Sequence, residues 1–239
     1  MAPSPLLLGP VLATLASAIF PNPTGLHWTP PHYNQTVINA FAGKVNTDPF
    51  PVPTSDPYQH HIDTNRSGVC GVQYRNDKER KMYKLTTFET LSSLEAAEPK
   101  AHLTHTGPCG LCSTLMDLST YMRYTDMTAP VRKCGFKGFL SEKWAMKCLQ
   151  NLGLTEPCAK IWFYNTRNTR KECLIPCLLE LRKPYNNPDG SLNDCLQCDE
   201  DNSGPVFKKV AARTRRDSGL ESAIHRPPET ISHVTHYYY

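Results

Sequence analysis

The sequence predicts an α+β fold in which a small antiparallel sheet is followed by a disulfide-stapled helical half. Residues 69–106 contain short strand-like runs, whereas residues 109–216 carry apolar residues at helical spacing. All ten cysteines lie between Cys70 and Cys198. Because an even number of cysteines confined to one segment is typical of an oxidised framework, we expect five disulfides.

The composition of the 239 residues excludes several other classes of protein. With 39% hydrophobic and 20% charged residues, the chain is neither collagen-like nor compositionally disordered. Its 26 basic and 22 acidic residues leave a net charge of +4 that is spread along the chain, so we expect no nucleic-acid partner. The long apolar run near the N-terminus is too short for a membrane span, and none is expected.

The N-terminus predicts export. Residues 6–16 form a short apolar segment, and the following Ser17-Ala18 completes the small-x-small pattern that a signal peptidase accepts. Residues 1–18 are therefore interpreted as a signal peptide, with the mature chain beginning at Ile19. The alternative is a buried apolar helix, since no Lys or Arg precedes the run, but Pro10 disfavours that helix.

Two short motifs agree with a secreted, extracellular protein. Asn34 and Asn65 both stand in the acceptor pattern for N-glycosylation, which operates only in the secretory route. We therefore expect a secreted glycoprotein whose partner is a small molecule or another extracellular protein.

Residues 19–60 are predicted to form a Pro-rich N-terminal arm. Eight prolines interrupt regular structure in this stretch and leave room for one short helix at residues 35–41. The arm also carries several aromatic residues, which a free solvated linker would lack. They are Trp28, Tyr33, Phe41 and Phe50. We expect the arm to wrap around a folded body.

The predicted sheet begins with a β-hairpin. Two strand-like runs within residues 69–88 flank a polar turn at residues 76–79. A short helix capped by Ser92 or Ser93 follows, and residues 101–106 are predicted to be a third strand.

The predicted helices follow the sheet. The first starts near Leu111, after the Gly-Pro break, with its leucines at helical spacing. The second is capped by Ser141 and stops at Gly153; one of its faces carries Trp144, Cys148 and Leu152. A third segment spans residues 169–182 and a last one residues 205–214. Pro176 demands a kink or a late start in the third segment.

The chain therefore divides into a signal peptide, an arm, a Cys-rich α+β domain at residues 61–216 and a C-terminal tail at residues 217–239. Residues 213–216 read Arg-Thr-Arg-Arg, a basic pattern that secretory processing proteases cut, which would release the tail. The alternative is that this run is the exposed basic end of a helix.

The densest group of reactive residues lies between His102 and Ser113. His105 is predicted to end a strand, while Cys112 and Ser113 are predicted to lie in the first turn of a helix, where free N–H groups favour negative charge. These positions predict a cofactor-independent enzyme with His105 as acid or base. Cys112 and Ser113 are the further catalytic candidates, and Gly110 and Leu111 would bind the developing anion.

Three other interpretations remain open for the same residues. Cys109 and Cys112 can be ends of different disulfides in a non-catalytic secreted binding or matrix module. The Cys-Gly-Leu-Cys motif between a strand and a helix also resembles that of thioredoxin-type oxidoreductases, which implies thiol-disulfide exchange. Structural zinc would use both cysteines with His102 and His105, but the odd spacing of the two histidines places them on opposite faces of a strand. We expect no metal and no cofactor.

Overall fold

The computed structural model describes residues 28–239, so the expected signal peptide lies outside the described residues. Within this range the protein is α+β, as predicted, with eight α-helices and one four-stranded sheet. The helices are α1 (Gln35–Ala42), α2 (Leu91–Glu95), α3 (Leu115–Arg123), α4 (Thr128–Lys137), α5 (Glu142–Asn151), α6 (Glu156–Leu179), α7 (Asp194–Asn202) and α8 (Gly204–Ala211). The strands are β1 (Val45–Asn46), β2 (Val69–Tyr74), β3 (Met82–Phe88) and β4 (Ala101–Thr106).

The sheet confirms the predicted hairpin and third strand. Its strand order is β1-β3-β2-β4, and β2 pairs antiparallel with both β3 and β4. The two-residue β1 adds a parallel edge that the sequence did not predict. Val72, Tyr74 and Tyr83 are buried beneath the helices and join the sheet to the hydrophobic core.

The arm and the C-terminal tail pack together on the body. The predicted short helix is α1; Asn34 caps it by accepting a hydrogen bond from the N–H of Val37. Phe41 of α1 has no exposed surface, and its ring lies 5.2 Å from that of Tyr238 in the tail. Trp28 stacks on His233 with ring centroids 4.8 Å apart. The arm therefore holds the tail against the core.

The cap of α2 differs from the prediction, and the structure shows which face of α5 is buried. Thr90, not Ser92 or Ser93, caps α2, because the Thr90 hydroxyl accepts from the N–H of Ser93 while the Ser93 hydroxyl accepts from the N–H of Thr90. This reciprocal pair satisfies two donors at once. In α5 the face that Trp144, Cys148 and Leu152 share is not the buried one: Trp144 is 57% exposed, and α5 buries Ala145 and Leu149. The small Ala145 lets α5 lie close to its neighbours.

Gly153 ends α5 as predicted, for a steric reason. Its φ is +109°, and a Cβ at this position would lie 2.6 Å from the hydroxyl oxygen of Thr120. A side chain would therefore clash with α3, and only glycine fits the turn between α5 and α6.

Helix α6 begins earlier than predicted and bends where the sequence requires it. Thr155 occupies the N-cap position and Pro157 lies in the first turn, which suits a residue without an N–H. The backbone leaves helical geometry at Cys173, three residues before Pro176. The ring of Pro176 would otherwise clash with the carbonyl one turn earlier, so the predicted kink is confirmed.

All ten cysteines form disulfides, as predicted. Three of the bonds join one helix to another, one ties β2 to the loop before α3, and one ties that loop to α6. The pairs are Cys70–Cys109, Cys112–Cys158, Cys134–Cys148, Cys173–Cys198 and Cys177–Cys195. Within the described range, no helix has both the length and the apolar character needed to cross a bilayer.

The basic run after α8 is not an exposed helix end. Helix α8 stops at Ala211, and Ala212 takes a φ of +67° that turns the chain inward. Arg213 has no exposed surface, which corrects the expectation of an exposed basic end. The tail that follows buries several side chains in the body. They are Leu220, Val234, His236 and Tyr238.

Candidate functional site

His105 and Ser113 contact each other inside the protein. Nε2 of His105 lies 2.7 Å from Oγ of Ser113, and Nδ1 lies 2.9 Å from the carbonyl oxygen of Thr106. Because a carbonyl only accepts, Nδ1 carries the proton, and Nε2 accepts from the Ser113 hydroxyl. The structure thus brings together two of the three predicted catalytic side chains. Neither has any exposed surface.

The expected anion site at a helix start is not formed. Helix α3 begins at Leu115, so Cys112 and Ser113 precede it, contrary to the prediction. The reason is a tight turn in which the N–H of Gly110 donates to the Ser113 hydroxyl and the N–H of Ser113 donates to the Gly110 carbonyl. The N–H of Leu115 donates to the hydroxyl of Tyr83. These donors are therefore already used within the protein.

Gly110 and Leu111, the predicted binding residues, pack against α8. The N–H of Leu111 donates to the carbonyl of Val210 at 3.1 Å. A Cβ on Gly110 would lie 2.7 Å from both the Val210 carbonyl oxygen and the Cβ of Ala212. This close approach explains the glycine without a ligand.

The cysteines of the Cys-Gly-Leu-Cys motif are bonded to different partners. Cys109 pairs with Cys70 and Cys112 pairs with Cys158, so the motif holds no internal disulfide and no thiolate. Cys112 is fully buried. Its sulfur stabilises the junction between the α3 loop and α6.

Arg213 is the centre of this buried polar cluster, and sequence reasoning missed it. Its guanidinium donates to the carbonyl and hydroxyl oxygens of Thr104, to the carbonyls of Cys112 and Ser113, and to the hydroxyl of Ser218. Burial lowers its pKa, and the nearby Tyr238 and Asp117 act in the opposite direction. Charged side chains are rarely buried, so the basic sequence at residues 213–216 does not indicate that one of its arginines lies in the core.

Two buried histidines lie near this arginine. His236 donates from Nε2 to the carbonyl of Ser218 at 2.8 Å, and its Nδ1 lies 3.0 Å from the hydroxyl of Tyr238. Burial, reinforced by the charge of Arg213, lowers the pKa of His236 to about 3 and holds that of His105 well below its usual value. Both imidazoles are therefore neutral, and His105 is held by its contacts.

His102 has surroundings different from those of His105. Its ring stacks on Tyr238 with centroids 5.2 Å apart. The prediction that His102 and His105 lie on opposite faces assumed regular strand alternation. The pairing of β2 with β4 shifts between Cys70 and Gly71, so a β-bulge breaks that alternation.

A wide apolar cleft lies on another part of the surface. Its volume is about 720 Å³, and its walls come from α3, α4, α6, α7, α8 and the segment after α8. Trp162 and Phe207 form part of the interior, with ring centroids 4.6 Å apart. Apolar side chains that are 42% to 59% exposed line it at α4 and at the end of α6. They are Phe136, Phe139, Leu174, Leu178 and Leu181. We call this feature the apolar cleft.

One run of residues in α6 could have indicated the apolar cleft. The second half of α6 reads Leu-Ile-Pro-Cys-Leu-Leu, a run too apolar for an ordinary surface helix. The other lining residues are Pro30 and residues between positions 121 and 231, so only the fold brings them together.

Comparison with known proteins finds a match between part of the chain and one protein family. Residues 142–234 match a protein family of unknown function, DUF8771. The matched region runs from α5 into the C-terminal tail and includes most of the cleft walls. Searches of curated proteins and of solved structures give no match. The chain is thus an α+β protein with five disulfides that resembles this family over that region.

Proposed function

We propose that this protein is a secreted, non-catalytic binding module that holds an apolar small molecule in the apolar cleft. The observation that carries the proposal is the cleft itself. Sites for small ligands usually measure about 300–1,000 Å³ and have mostly apolar walls, and the 720 Å³ of this cleft lies within that range. Large apolar side chains left exposed around such an opening are typical of binding surfaces.

Export is supported by the disulfides and by the surface asparagines. Five disulfides form and persist in oxidising compartments. Asn34 and Asn65 are both exposed, and Asn34 caps α1 through its oxygen, which leaves its Nδ2 open to a glycan. N-terminal sequencing of protein recovered from culture medium is expected to begin near Ile19.

The predicted enzyme is the rival proposal, and one contact favours it. A serine hydroxyl bonded to an imidazole is the arrangement of a nucleophile with its base. However, the Oγ of Ser113 already accepts from Gly110, and neither Ser113 nor His105 reaches solvent. A substrate has no access to these atoms, which is why the binding module is the better proposal.

The test uses an uncharged fluorescent probe, N-phenyl-1-naphthylamine, and two neighbouring leucines. Leu178 lines the apolar cleft, whereas Leu179 does not, and both are about half exposed or more. Leu178→Asp should weaken probe binding at least about tenfold, because burying a leucine is worth about 1.5–3 kcal/mol. Leu179→Asp is the matched control and should bind like the wild type. Equal binding by both variants, or no binding by the wild type, would overturn the proposal.

A further inference from the structure

One wall of the apolar cleft carries a surplus of positive charge. The carboxylate of Glu200 accepts hydrogen bonds from Lys208, from Arg216 at 2.8 Å and from Arg226 at 3.2 Å. All four residues line the cleft. One carboxylate thus faces three cations, which leaves two positive charges without a counter-charge.

These charges are partly shielded from water. The four side chains are only 18% to 28% exposed. Burial raises the pKa of Glu200, but the bond from Lys208 and the charges of the three cations outweigh it, and the pKa is lowered. The carboxylate is therefore ionised. Uncompensated charge in such a setting is costly unless a ligand matches it.

Arg215 is a further cation of the cleft lining, which also includes Arg132 of α4 and Arg170 of α6. Its Nη1 donates to the carbonyl of Glu221 at 2.6 Å, while its Nη2 is buried and finds no acceptor among residues 28–239. Burial lowers the pKa of Arg215 to about 10, so it stays charged at neutral pH. A buried donor without an acceptor is rare in native proteins and points to a missing partner.

The other carboxylates of the cleft reduce this surplus without cancelling it, because six Lys and Arg side chains of the lining face four carboxylates, which leaves a net charge of +2. Asp126 accepts from the hydroxyl of Tyr185, and Asp199 accepts from that of Thr169. Glu221 pairs with His32 of the arm.

We propose that the apolar cleft binds a single-chain amphiphile with an anionic head group. The head lies at Lys208, Arg216 and Arg226, and the tail lies against the apolar side chains of α4 and α6. This proposal rests on the proposed function and names its ligand class. The 720 Å³ volume suits one chain.

The experiment compares three ligands that share one tail: dodecanoate, dodecyl phosphate and dodecanol. The two anions are titrated calorimetrically into the protein below their critical micelle concentrations, and dodecanol is titrated below its solubility limit. Both anions should bind at least about tenfold more tightly than the alcohol, and their ratio distinguishes a carboxylate site from a phosphate site. Each buried CH₂ should add about fourfold between octanoate and dodecanoate, from roughly 0.8 kcal/mol per group.

A double variant removes the surplus while keeping Glu200 paired. Lys208→Met with Arg226→Met leaves Arg216 as the single partner of Glu200. This variant should bind dodecanol normally and lose the preference for anions. The control, Lys143→Met with Lys147→Met, removes the same charge from exposed positions outside the cleft and should keep the preference.

The outcomes separate the two proposals. If dodecanol binds the wild type as tightly as the anions do, the head-group proposal fails and the binding module stands. The head-group proposal also fails if the double variant keeps its preference. If none of the three ligands binds, both proposals fail.

Discussion

The Nε2 atom of His105 lies 2.7 Å from the Oγ atom of Ser113, in a site that solvent does not reach. Ser113→Ala would leave this nitrogen and the N–H of Gly110 without partners. Because each unsatisfied buried polar group costs about 1–3 kcal/mol, the free energy of unfolding should fall by about 2 kcal/mol or more. Urea denaturation with the disulfides intact measures it. The exposed Ser92→Ala is the control and should change stability by less than about 0.5 kcal/mol; equal effects of both substitutions would refute a structural role.

The same burial predicts that Ser113 does not react. A fluorophosphonate probe, which labels activated serines, should leave the folded protein unmodified under conditions that label a serine hydrolase completely. The reason is that the Ser113 hydroxyl is enclosed and already bonded on both sides. Intact-mass spectrometry provides the readout. A stoichiometric adduct on the Ser113 peptide would restore the enzyme interpretation.

Acid should destabilise the fold through its two buried histidines. His105 and His236 take up protons in the unfolded chain below about pH 6.5, whereas burial lowers their folded-state pKa values, to about 3 for His236. Their stabilisation is thus complete above pH 6.5 and is lost as the pH falls below that value, by roughly 1 kcal/mol per pH unit for each group. Urea midpoints between pH 7 and pH 4 test this, and His236→Gln should flatten the slope. An unchanged slope in that variant would contradict the assignment.

Asp117 should have the opposite effect to the two histidines and make the fold less stable as the pH rises. Burial raises its pKa to about 6, although hydrogen bonds from Thr114 and Thr155 act to lower it. Between pH 4 and 6 the folded state therefore keeps a proton that the unfolded chain releases, and stability falls as the pH rises. Asp117→Asn keeps most of these bonds without the charge. The difference in free energy of unfolding between this variant and the wild type should therefore shift in favour of the variant by roughly 2–3 kcal/mol between pH 4 and pH 7.

Asp117→Leu provides the comparison for that substitution. It matches the carboxylate roughly in size but leaves the N–H of Thr155 unpaired, so it should destabilise the protein at both pH values. The prediction fails if Asp117→Asn has the same effect at pH 4 as at pH 7.

Much of the fold was predictable because its signals are local. The hairpin follows from two alternating runs around a polar turn, and the kink in α6 follows from Pro176. Strand β1 was missed because two residues carry no periodicity. The start of α6 could have been found from Thr155 followed by a proline in the first turn, which is a common helix start.

The candidate sites depend on contacts that sequence spacing does not encode. His105 and Ser113 were chosen for their proximity in the chain, and they do meet, but their burial depends on Arg213 and on the C-terminal tail. The cations that pair with Glu200 come from α8 and from the segment after it, while the apolar residues proposed to hold the tail come from α4, α6 and the turns that follow them. Only tertiary packing brings these groups to one surface.

The occupancy and orientation of the cleft are tested most directly by photolabelling. Dodecanoate with a diazirine at its methyl end is irradiated with the purified protein, and the modified peptides are identified by mass spectrometry. The account predicts one principal adduct, on peptides that contain Phe136, Phe139 or residues 174–181, and its loss when unlabelled dodecanoate is added in excess. Labelling beside Lys208 or Arg226, or labelling that excess dodecanoate does not reduce, would contradict it.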